Sequence, residues 1–157
     1  MPKSSWKSLL IAILIPEAVG ALAGFISGPF TRAQYTQLIQ PPLAPPPLAF
    51  PIVWGILYLL MGVASWLVWR QHTPESRRAL VLYAVQLVVN FLWPIAFFNL
   101  QWRLFAFFWL LLLIILVWFT KRAFGRISPA AGWLMLPYLL WCCFAAYLNL
   151  GIYLLNN

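Results

Sequence analysis

Catalysis needs groups that ionise, attack or ligate, and this chain has few of them. Of its 157 residues only Glu17 and Glu75 are acidic, and His72 is the single histidine. His72 and Glu75 share a short charged stretch between apolar blocks. No Ser/His/Asp triad, paired carboxylates or metal-ligand cluster can be assembled from such a set. Nor is there a glycine-rich phosphate loop. Cys142 and Cys143 adjoin inside an apolar run and read as small buried hydrophobes, not as a disulfide or metal site. Aromatic residues are plentiful: ten Trp, twelve Phe and six Tyr. The chemistry open to them is recognition, with flat rings stacking on a large, planar, mostly apolar ligand and a few amides orienting it.

The spacing of these residues points the same way. Trp54, Tyr58, Met61 and Ser65 fall at i, i+4, i+7 and i+11, one face of a helix. Gln86, Asn90, Trp93 and Phe97 repeat that spacing, and Tyr138, Trp141, Ala145 and Leu148 make a third stripe with Asn149 beside it. Glu17, Gly20, Gly24 and Ser27 form a fourth. Each stripe is either a pocket wall or packed core. Asn90 either bonds a ligand carbonyl or carboxylate or ties two helices together. Glu17 is either a proton or cation carrier or a protonated carboxyl bonded to a neighbouring helix. The Gly20-x-x-x-Gly24-x-x-x-Gly28 run suits a dimer face or close packing within one chain.

The elements that carry these stripes are membrane helices. The chain is 64% hydrophobic and 8% charged, where soluble domains are nearer 45–50% and 25%. Five apolar blocks, at about 6–27, 49–69, 79–100, 104–120 and 129–155, are each long enough to cross a bilayer as helix. An all-α integral membrane bundle of five transmembrane helices in one domain, 1–157, is expected, with no cleaved signal peptide. The fourth block has no polar residue between Leu104 and Phe119, so it is expected to pack or to face lipid. The first connector holds five prolines in positions 41–47, which makes it a stiff extended segment, a lid or a plain turn. The net charge of +8 comes in short runs flanking apolar blocks, so it reads as a topology signal and not as a nucleic-acid surface. Lys3, Lys7, Arg70, Arg77, Arg78, Lys121, Arg122 and Arg126 share one side, against Arg32 and Arg103 on the other. That bias puts the N-terminus in the cytoplasm and the lid and C-terminus outside, in a bacterial inner membrane.

Several motifs together carry a resemblance. They are Pro41-Pro42-Leu43-Ala44-Pro45-Pro46, then Phe50-Pro51-Ile52-Val53-Trp54-Gly55-x-Leu57-Tyr58-x-x-Met61-Gly62. Further on come Gln86-x-x-x-Asn90-x-x-Trp93, Phe97-Phe98, and Pro137-Tyr138-Leu139-x-Trp141-x-x-x-Ala145-x-x-Leu148-Asn149. Over nearly its whole length the chain resembles the translocator protein / tryptophan-rich sensory protein family. That resemblance implies a five-helix bundle, often a homodimer, with a pocket under the first connector. It further implies porphyrins or haem as ligands, with no resident cofactor or metal, and benzodiazepine-type compounds or sterols for some members. The pocket positions it implies are Gly24, Trp54, Tyr58, Asn90, Trp93, Phe98, Phe105, Trp141, Ala145 and Leu148.

The chain departs from the family pattern in three places. Gln40 and Leu43 replace the usual lysine and tryptophan before and within the proline run. No basic residue follows Tyr153, so the C-terminal sterol motif is missing. Glu17 adds an ionisable group to a span that is often uncharged. Three functions are consistent with these residues. One is a porphyrin receptor or transporter. Another is a proton-coupled exporter using Glu17. The third is an enzyme degrading porphyrin oxidatively, with Trp54 and Trp141 relaying radicals.

Overall fold

The computed structural model describes residues 6–35 and 37–156, apart from the Arg32 side chain; Lys3 and Thr36 lie outside them. Among the described residues every regular element is helical, and five helices are long and apolar enough to cross a bilayer. Helix α1 is Trp6–Tyr35, α2 is Ala49–Trp69, and α3 is Pro74–Pro94 with a π-helical continuation over Ile95–Asn99. Helix α4 is Arg103–Ile127, and the fifth crossing comes in two pieces, α5 (Pro129–Leu134) and α6 (Leu136–Leu155).

Several boundaries differ from those expected, each for a local reason. Helix α1 runs on through Pro29 to Tyr35. A proline there removes only the bond to the Phe25 carbonyl, and Thr31 Oγ1 donates to the Ser27 carbonyl at 2.9 Å one turn on. Helix α3 starts at Pro74, ahead of the apolar block, because Thr73 is extended and its Oγ1 accepts the Ser76 N–H at 3.0 Å. This is an N-cap with proline at the first helical position. Helix α4 continues past Thr120 to Ile127, where Lys121 and Arg122 lie over the Trp133 and Trp118 rings. Their stems cover apolar surface while the charges stay at its edge.

Proline also explains the irregular turns. After Pro94 the ladder widens, so that the Leu100 N–H donates to the Ile95 carbonyl at 2.9 Å and that of Trp102 to Ala96 at 2.9 Å. The π turn presents Phe97 and Phe98 in succession. Pro137 has no N–H for the Trp133 carbonyl, and the fifth crossing breaks at Met135.

Around the bundle the order is α1, α2, α5 with α6, α4, α3, with α3 and its π turn closing back on α1. Trp66 Nε1–H donates to Ser8 Oγ (3.0 Å), tying α2 to α1. The core runs through Met61, Val68, Leu110, Val117, Met135 and Tyr138. Helix α4 does both things expected of it: Leu110, Leu113 and Val117 are buried, while Phe108, Leu112 and Ile115 face outward. The cysteines divide likewise. Cys142 is buried but Cys143 is exposed, which corrects the expectation that both pack inside: neighbours on a helix point about 100° apart.

The proline-rich segment folds back over the end of the bundle. The Ala44 N–H donates to the Pro41 carbonyl (3.2 Å) across a turn in which Leu43 is left-handed, φ 71°. Tyr35 OH donates to the Pro45 carbonyl and Tyr147 OH to that of Pro42 at 2.6 Å. Asn156 grips Ile39 from both sides, accepting its N–H (3.0 Å) and donating to its carbonyl (2.9 Å). Gly151 lets Pro41 come close, since a Cβ there would stand 2.7 Å from Pro41 Cβ.

Candidate ligand site

A chain of buried hydrogen bonds joins three helices. Tyr58 OH on α2 donates to Asn90 Oδ1 on α3 (2.7 Å), and Asn90 Nδ2 donates to Tyr138 OH on α6 (2.8 Å). Tyr138 OH in turn donates to Gln86 Oε1 at 2.6 Å. Each oxygen and amide thereby finds a partner away from water, as buried polar groups must. Asn90 does serve as an interhelical tie. Trp54 stacks on Tyr58, ring centroids 5.4 Å apart, and meets Tyr138 edge-on at 6.1 Å. Gly20 makes this fit possible: a Cβ there would lie 2.3 Å from Tyr58 Cε2.

Above this network an aromatic wall climbs to the lid. Tyr35, Phe50, Trp141, Phe144 and Tyr147 touch in sequence, edge-on or tilted at first and stacked at the end. The Trp141 Nε1–H is buried and has no partner. Between α2 and α6 a groove of about 440 Å³ opens sideways, lined by Val53, Leu57, Leu60, Leu140, Trp141 and Phe144 among others. Trp141 is thus common to groove and wall. On the far side Trp93 Nε1–H donates to Asn149 Oδ1 (3.0 Å), while Trp93, Phe97 and Phe98 form a second ring cluster.

Residues 12–155 match the TspO/MBR family. The chain belongs to that family. It is 39% identical over 141 residues to the tryptophan-rich protein TspO of Chlorobaculum tepidum, covering 85% of this chain and 88% of that protein. To the translocator protein of Bos taurus it is 37% identical over 136 residues, covering 82% and 80%. The tryptophan-rich sensory protein of Cereibacter sphaeroides is 35% identical over 122 residues, covering 78% and 76%.

Within this TspO/MBR bundle, Trp54, Tyr58, Asn90, Trp93, Phe98, Trp141, Ala145 and Leu148 all lie on buried or half-buried faces of α2, of α3 with its π turn, and of α6. Two of the expected positions do not join them. Gly24 is exposed with open space where a Cβ would be, and Phe105 is 51% exposed, stacked on Trp109. Glu17 is half-buried, and no hydrogen bond ties it to a described neighbouring helix. The site also uses residues outside the implied pocket positions. Gln86 and Tyr138 stood on the stripes and in the motifs, and an intramembrane glutamine one turn before Asn90 was the available signal. Tyr35 and Phe50 lay in or beside the connector and had no periodic signature.

Proposed function

We propose that this TspO/MBR protein binds porphyrins and related planar tetrapyrroles between α2, α3 and α6 beneath the proline-rich lid, as a multi-pass receptor or transporter. The observation that carries this reading is the Trp141 indole N–H, buried without a partner in a wall of aromatic rings. An orphaned donor in an apolar wall is costly in the free protein. A ligand that offers both a flat π-face and an acceptor removes that cost. The groove between α2 and α6 faces the level of the hydrocarbon, so an apolar ligand dissolved in the bilayer reaches Trp141 from the side. Its volume lies within the roughly 300–1,000 Å³ usual for small-molecule pockets.

In this reading the N-terminus is cytoplasmic, the lid faces the opposite side of an inner membrane, and two copies form a homodimer. The charge asymmetry supports the orientation. Spectral titration of the purified protein with protoporphyrin, in darkness and in light, is the test. Saturable binding in darkness with the pigment intact is the expected result. No binding in darkness contradicts the proposal, and pigment loss in light that depends on the protein favours oxidative breakdown over simple binding.

A further inference from the structure

Arg103 opens α4 at the lid end with a half-buried side chain, its guanidinium 5.5 Å from the centre of the Phe97 ring. Of the five N–H groups a guanidinium offers, Nη2 donates to Gln34 Oε1 at 2.8 Å, whereas the buried Nε–H has no partner. No acidic side chain balances this charge. Glu75 opens α3 at the other end of the bundle, and Glu17 precedes Ser27 by ten residues on α1, about 15 Å along the axis. Ser27 is only 3% exposed, and its Oγ is also unpartnered.

These groups share one seam. Ser27, Thr31 and Gln34 fall at i, i+4 and i+7 on the face of α1 that meets the π turn, and Gln34 reaches α4 through Arg103. Gln34 Nε2 donates to the Phe98 carbonyl (2.7 Å), and Asn99 Nδ2 to that of Ile26 (3.4 Å). Asn99 Oδ1 is the remaining orphan there, and it needs a donor such as a bound water supplies. A cation without a counterion and a buried hydroxyl without an acceptor are both costly. A negatively charged group with acceptor oxygens answers the cation; Ser27 stands seven residues, about 10 Å along the axis, from the Gln34 that holds it.

We infer that Arg103, with Gln34 holding its guanidinium in place, forms a binding site for an oxyanion, either a carboxylate or a phosphate group. Two sources carry that chemistry. One is the headgroup of a phospholipid in the lid-side leaflet, at which level Trp102, just before α4, and Phe105 in its first turn are exposed like interfacial anchors. The other is a carboxylate on a planar ligand, because the Arg103 carbonyl accepts from Asn149 Nδ2 (2.9 Å), the residue that also holds Trp93. This second source rests on the porphyrin reading above, and the first does not.

The test uses the full chain in a sugar-headed detergent with two pairs of probes. Dioleoylphosphatidylglycerol is compared with dioleoylglycerol by thermal unfolding, and protoporphyrin with its dimethyl ester by fluorescence titration. The wild-type protein should prefer the charged member of at least one pair roughly ten-fold. Arg103→Gln should abolish that preference without changing the uncharged member, and Gln34→Ala, which frees the guanidinium, should narrow it. A loss confined to the lipid pair assigns the site to a headgroup, and one confined to the porphyrin pair assigns it to the ligand. No preference in the wild type for either charged probe overturns the site, as does a preference that survives Arg103→Gln intact. Should Arg103→Gln fail to fold, an unchanged preference in Gln34→Ala overturns it instead. Failure of porphyrin and ester alike to bind counts against the function proposed above and leaves the lipid pair to decide the site.

Discussion

Tyr138 is the single side chain on which most of the interior depends. Its hydroxyl accepts from Asn90 and donates to Gln86. Interhelical hydrogen bonds in membranes average only about 0.6 kcal/mol in net terms, so the network adds little by existing. Breaking it is another matter, because Tyr138→Phe leaves an amide N–H and an amide oxygen buried without partners. That change should cost about 2 kcal/mol, read as a lowered midpoint of thermal unfolding in detergent. Trp118→Phe, on the outer face of α4, should cost under about 0.5 kcal/mol. A similar loss from both would show that Tyr138 matters only as bulk. The residue scale is also where sequence reading fell short. Asn90 and Tyr58 stood out because amides and phenols inside apolar runs are few. Gly24 stood on the α1 stripe and in the pocket the resemblance implies, and Phe105 came from the resemblance alone. The pitch of α1 and the start of α4 turn both outward, and only the helix packing decides that.

At the scale of the element, the lid is the part whose state sequence left open. Five prolines made it stiff, but stiffness does not say where a segment docks. The structure pins it to α6 through Gly151, Tyr147 and Asn156 and to α1 through Tyr35. The contacts to α6 join residues more than a hundred positions apart, and periodicity holds no trace of them. Gly151→Val should wedge Pro41 off α6. The expected result is faster hydrogen exchange over residues 37–48 and faster dissociation of bound porphyrin, by about ten-fold if roughly 1.4 kcal/mol of lid contact is lost. Gly55→Ala is the matched control. A Cβ there meets nothing within 4 Å, and relief of a mid-helix glycine should stabilise α2 by roughly 0.5–1 kcal/mol. Unchanged exchange in Gly151→Val would mean that the lid does not depend on that close approach. The five crossings themselves were legible, since apolar runs of this length have one stable form in lipid. Their ends were not, because caps such as Thr73 and polar turns such as 31–35 extend helices beyond the apolar stretch.

For the whole molecule, the distribution of charge is the basis of the proposed orientation. Lys7, Arg70, Arg77, Arg78, Lys121, Arg122 and Arg126 gather at one end of the bundle, and Arg103 lies at the other. A reporter fused after Asn157 should therefore be active in the periplasm and one inserted between Arg70 and Arg77 in the cytoplasm. Both on one side would contradict the five-span topology. The central claim is that a planar ligand lies against Trp141 under the lid, and Trp141→Phe tests it most directly. Asn90→Ala and Trp54→Phe each also disturb the buried network or its stacking. Relief of the orphaned Trp141 N–H should offset the packing lost with the smaller ring, leaving the unfolding midpoint nearly unchanged. Protoporphyrin titrated in darkness into the wild type, Trp141→Phe and Trp118→Phe is the measurement. Affinity should weaken by roughly 0.5–1.5 kcal/mol in Trp141→Phe alone; equal affinity in all three proteins, or an equal loss in Trp118→Phe, would contradict binding at Trp141.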